Sequence, residues 1–275
     1  MKFAIFFVVS VVFICSAELI KDPKCKGSYV NGKFHKKHII ANGLNRPYQL
    51  SIYNLHHAIY FSYNVGGDDE DKFEIGYLKK DQKVPTPIPA VKNGFATTID
   101  HHHGISYLGG SDGIYAHDFT KPDEIKHVVK QHNIWDMFYK EHLYFIVYPS
   151  QRLHKKHENS SELVEHISEK IYQFAIDGDE DIFITTADGV FQIKNGTTER
   201  IPFTGPKIFR AIEVDHQGVA HFCGQNAIYV ANKDNNALEE IAHIKNIFGL
   251  TFDAEDHIIY SDPHEIVKLL PDTCK

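Results

Sequence analysis

Three consecutive histidines, His101, His102 and His103, stand in the stretch DHHHGISYLGGSDGIYAHDF (residues 100–119). Imidazole is the commonest metal-binding side chain, so a metal centre is the first chemistry to weigh. Adjacent residues of a tight turn cannot all aim at one ion, and metal sites recruit further ligands from distant positions. The same strand–turn–strand pattern recurs at 171–196, 208–233 and 247–270, and more weakly at 46–64 and 134–149. Where the triplet falls, the stronger copies carry GDED (178–181) and HQG (216–218) instead. The triplet is therefore read as a hairpin turn. The glycines of GGSDG supply a second turn, where positive φ is needed. No metal site is expected.

Catalytic signatures are equally scarce. Neither G-x-S-x-G nor H-E-x-x-H occurs, and the cysteines are too few and too widely spaced for a zinc ribbon or a redox pair. A metal-dependent hydrolase would need several carboxylates converging on a divalent ion. The acidic run GGDDEDKFE (66–74) reads instead as a solvated loop.

A different constellation appears when the repeats are aligned on their opening strands. The residue two before the first aliphatic is Tyr48, Phe95, Trp135, Tyr172, Arg210 or Phe248. The next position holds Gln49, Ala96, Asp136, Gln173, Ala211 or Gly249. Aromatic faces with one guanidinium suit a flat, conjugated, anionic ligand: stacking supplies apolar area and arginine supplies a fork for a carboxylate. Gln49, Asp136 and Gln173 add hydrogen-bonding groups, and the small residues leave room. The competing reading is packing between strands, the usual fate of large aromatics. The expected site is this double column, at one end of a central channel. No cofactor is expected apart from a bound ligand.

The elements that must position these residues follow from the spacing. The column recurs at intervals of about 40 residues, with several short alternating strands in each interval, which is the pattern of a β-propeller. The fold class is all-β, a six-bladed propeller filling residues 18–275 as one domain. Only SELVEHISEK (161–170) reads as a helix, and VPTPIPA (84–90) as an extended connector. The last unit lacks an outer strand, and FHKKHIIA (34–41) is expected to supply it, bringing both termini into one blade.

The N-terminus sets the compartment. MKFAIFFVVSVVFICSA is a charged start, an apolar run and a small-residue cleavage site, so residues 1–17 read as a signal peptide and the mature chain as secreted. The apolar run is too short for a comfortable membrane span. A net charge of -7 without a basic stripe argues against nucleic acid. Secretion permits disulfides, and Cys25–Cys274 is the favoured pair, leaving Cys223 a buried thiol. Sequons at Asn159 and Asn195 mark expected surface loops.

The segments AIYFSYNVGGDDEDKFEIGYLKK (58–80) and GISYLGGSDGIYAHDF (104–119), behind a secretory signal, resemble the ommochrome-binding proteins of moth and butterfly haemolymph. The resemblance spans most of the mature chain. It implies a secreted carrier of ommochrome pigments or their planar, tryptophan-derived precursors, which bear amino-acid carboxylates. It assigns no individual binding residue. Two other functions fit the same scaffold: a metal-dependent lactonase or esterase, disfavoured by the shortage of channel carboxylates, and an extracellular protein-interaction propeller.

Overall fold

The computed structural model describes residues 25–67, 70–158 and 160–274. The expected signal peptide and the Asn159 sequon lie outside these residues. Four sheets have four antiparallel strands each, ordered as in the sequence. The first begins with Tyr48–Tyr53, the second with Ala96–Asp100, the third with Asn133–Lys140 and the fourth with Phe174–Ile176. A nine-stranded sheet contains the rest, with Ala211–Val214 at one edge and Gly249–Phe252 at the other. Its middle is closed by the N-terminal segment: Lys33–Ala41 runs antiparallel to Ile266–Pro271, and Gly27–Val30 bridges it to Ala237–His243.

The four opening strands and the two edge strands, Ala211–Val214 and Gly249–Phe252, touch one another in a closed circuit, the last returning to Tyr48–Tyr53. Sheets radiating from such a circuit form a β-propeller. Continuous apolar runs become strands here because each sheet is covered on both faces. In Ala58–Asn64, the neighbouring side chains Tyr60 and Phe61 point to opposite faces, yet both are fully buried. The core accordingly lies between sheets. Phe183 and Phe222 meet at a ring separation of 5.7 Å across the interface of the fourth sheet with the next.

At the far end of four inner strands, one aspartate organises each hairpin. Asp100 Oδ1 accepts the N–H groups of His102 and His103, both at 3.0 Å. Asp177, Asp215 and Asp253 do the same for the residues two and four positions later, at 2.9–3.1 Å. The second oxygen meets a cation or imidazole: His103 for Asp100, Lys233 for Asp177, His221 for Asp215 and Lys268 for Asp253. The histidine triplet is thus the body of a carboxylate-capped turn. These turns are also latched to one another. Lys233 Nζ reaches Asp179 at 2.9 Å and Asp181 at 2.7 Å, Gly178 N–H donates to Gly218 at 2.8 Å, and His216 binds Asp256 at 3.0 Å.

The segment expected to be helical is not. Ser161–Leu163 is an edge strand, and turns follow. Its apolar residues Val164, Ile167 and Ile171 satisfy themselves by packing on Ile146, Leu153 and Phe174. The disulfide joins Cys25 to Cys274, with Cα atoms 5.8 Å apart, and Cys223 is free and buried.

Candidate functional site

Four members of the aromatic column occupy equivalent backbone positions. The N–H groups of Phe95, Tyr172, Arg210 and Phe248 each donate to the second strand of their unit, at Gly109, Thr185, Cys223 and Ser261, over 2.8–2.9 Å. In the other two units a β-bulge falls on the column. Pairing slips between Tyr48 and Ser51, and between Ile134 and Asp136. A bulge adds a residue on one strand and re-aims its side chains. Gln49, inside the first bulge, is left-handed with φ 51°, a conformation uncommon for a non-glycine residue and frequent at ligand sites.

These distortions open a cavity of about 510 Å³ at this end of the inner strands. That volume suits a small organic ligand. Of the expected residues, Tyr48, Gln49, Phe95, Trp135, Gln173 and Arg210 line it. The aromatic side chains form a continuous arc. Phe248 meets Tyr48 at 4.8 Å, Tyr48 meets Phe95 at 5.7 Å, Phe95 stacks on Trp135 at 5.6 Å, and Trp135 on Tyr148 at 6.0 Å. The Trp135 ring is pinned by its Nε1–H, which donates to the Tyr172 carbonyl at 2.7 Å.

The remaining three expected residues stand off the cavity wall. Tyr172 contributes its carbonyl, and its side chain faces solvent. Phe248 lies behind Tyr48 and carries the Arg210 guanidinium 4.1 Å from its ring centre. Asp136 is buried beneath. Its oxygens accept N–H from Met137 at 3.0 Å and Phe174 at 3.3 Å, and Gln49 adds a side-chain hydrogen bond. Desolvation pushes this carboxyl up to about 7, and those three donors keep it from rising further. Gln173 is held by the Thr185 hydroxyl at 2.7 Å.

Arg210 is the cation of the cavity. It donates to the Ile247 carbonyl at 2.5 Å and has no carboxylate partner among the described residues. Tyr48 is raised by burial, with the Arg210 and Arg46 charges opposing. Asp71, at the rim, is already paired with Arg46 and accepts from Asn64 at 3.0 Å. The cavity can therefore stack a flat ring system and still has an uncompensated guanidinium for an anionic substituent.

Residues of loops (Asp71, Asn93, Phe209) and of strand ends (Phe73, Asn133, Tyr148) complete the wall in ways the column did not indicate. Asp71 and Phe73 come from the acidic run read as solvated. The local signal available was Phe73 within that run and Phe209 beside Arg210. A larger groove of about 1130 Å³ lies between the third and fourth sheets, walled by Lys155, Glu162, Glu180 and Lys194. It has no aromatic arc, and the exposed sequon Asn195 sits at its edge.

No family profile matches the chain. It is 31% identical over 252 residues to the "Ommochrome-binding protein" of Manduca sexta, covering 89% of this chain and 91% of that one. Among solved structures, a gluconolactonase of Xanthomonas campestris superposes with a TM-score of 0.66 at 10% identity, over 90% of this chain and 96% of that one. The WD40 propeller domain of Doa1 gives 0.56 at 10% identity, over 88% and 96%. At such identities these structures report on the fold alone, a β-propeller.

Proposed function

Since the chain belongs to the ommochrome-binding protein family, we propose that it is a secreted, non-enzymatic carrier. It holds an ommochrome pigment, or a related planar tryptophan-derived chromophore, in the cavity of the aromatic arc. The nine-stranded sheet is read as two blades joined at their outer edges, giving a single six-bladed propeller over residues 18–275.

One observation carries the binding reading. Arg210 stands over an aromatic wall with no carboxylate to neutralise it. A planar ligand with a carboxylate matches both parts, because a ring stacks on Phe95 and Trp135 while the guanidinium takes the acid. Fold likeness to gluconolactonases leaves hydrolysis as the rival. The donor set speaks against it, because Asp136 spends its oxygens on backbone N–H groups instead of presenting them to an ion.

Trp135 is the only tryptophan, so its emission reports on this cavity. Titration with xanthommatin or 3-hydroxykynurenine is expected to quench it saturably. Arg210→Ala should weaken binding by about 1.5–3 kcal/mol, the range for a hydrogen bond to a charged group. Absence of saturable quenching with either compound refutes the proposal.

A further inference from the structure

At the opposite end of the inner strands lies a second cavity of about 380 Å³. Glu213, on Ala211–Val214, faces it and keeps some solvent contact. No hydrogen bond or ion pair joins its carboxyl to another described side chain. The other acids at this mouth are already committed. Asp215 is held by His221 at 2.9 Å, Asp177 by Lys233, and Asp253 by Lys268. Asp136, whose charge Glu213 feels, is bound by the donors described above. Lys140, the lysine of the cavity wall, is turned onto the Asp177 carbonyl. The lining of this cavity also includes Phe138, Tyr139 and Phe252.

A carboxyl without a partner, in a cavity lined in part by aromatic side chains, is the reverse of the Arg210 cavity in charge. We propose that this second cavity is a site for a small organic cation: a primary ammonium on an aromatic or short aliphatic body. Glu213 is its counter-ion, and the rings of Phe138, Tyr139 and Phe252 are its walls. Aromatic faces attract an ammonium, and the attraction grows when both are shielded from water. A hard divalent ion fits less well, because it requires about six oxygen ligands or more and Glu213 is the one carboxylate lining this cavity without a partner among the described residues.

Binding is coupled to a proton. Burial and the neighbouring Asp136 favour the protonated form of Glu213, so an arriving ammonium replaces that proton. The other titratable or charged groups lining this space are Lys140, His101, His216, Asp215 and Tyr139.

Isothermal titration of the full mature protein with tyramine, benzylammonium and histamine tests the idea. At least one amine should give a saturable heat, with proton release seen as a dependence on buffer ionisation enthalpy. Glu213→Gln, an isosteric change, should weaken it by about tenfold or more and abolish the proton release. Tyr139→Leu should weaken it less. Arg210→Ala, in the pigment cavity, should leave it unchanged, so this outcome is independent of pigment binding. The proposal is overturned if none of the three amines binds, or if calcium binds in their place. It is also overturned if amine binding survives Glu213→Gln but is lost in Arg210→Ala.

Discussion

Replacing Lys233 by methionine removes the cation that gathers Asp177, Asp179 and Asp181. The three contributions differ. The side chains of Asp177 and Asp181 are 2% and 10% exposed, whereas Asp179 is 80% exposed and adds little. Breaking a buried pair from one side costs about 3–5 kcal/mol. The Lys233 side chain is 31% exposed, so solvent screening lowers the expected loss to roughly 2–4 kcal/mol at pH 7. The loss must depend on pH. Burial acts to raise Asp181, but Lys233, Asn195 N–H and Gln192 outweigh it, and its folded pKa lies below the unfolded one. That contribution is present above the unfolded carboxylate value of about 4 and fades as pH falls through the folded value. In Lys233→Met the clustered carboxyls repel one another, and protonation relieves them. Urea unfolding of both proteins between pH 3 and 7 should therefore show a stability gap that is widest at neutral pH and narrows in acid. A gap that stays constant across this range would refute the ion-pair account and leave only the lost contact of the Lys233 ammonium over the Phe183 ring, 5.9 Å from its centre.

Three further outcomes are expected. Cys25→Ser with Cys274→Ser opens a loop of 249 residues and should cost roughly 2–5 kcal/mol in non-reducing denaturant melts, without altering Trp135 emission in the folded state. Cys223, whose thiol burial pushes up to about 12, should resist alkylation at pH 8 until the protein unfolds, as mass spectrometry can follow. Gly113→Ala should lose roughly 2–3 kcal/mol on thermal unfolding, because φ is +141° and an added Cβ would sit 2.0 Å from the Val129 carbonyl.

Much of this architecture is legible before any coordinates, because the inner strands repeat their hydrogen bonding as well as their spacing. Phe95, Arg210 and Phe248 align in sequence and hold the same backbone position in their sheets. Direction is harder to read than register. Tyr172 shares that position, but its ring turns outward and only its carbonyl serves the site. Contributions from strand ends are harder still. Phe73 opens the strand Phe73–Leu78 and Tyr148 closes His142–Tyr148, and no local periodicity encodes which strand ends turn toward the arc. Residues 161–170 misled for a related reason. Their apolar spacing fits a helical face, but the same side chains also fill the flank of a sheet when the chain runs irregularly across it.

Because Cys25 and Cys274 lie 5.8 Å apart at Cα, the first and last described residues are interchangeable landmarks on a circle. A short peptide linker in place of the disulfide would make that circle continuous, and new termini could then be cut in an exposed turn such as 120–124. The order in which the sheets are encoded would change while their order in space would not. The strands next to the two cysteines, Gly27–Val30 and Ile266–Pro271, both lie away from the inner circuit and flank Lys33–Ala41.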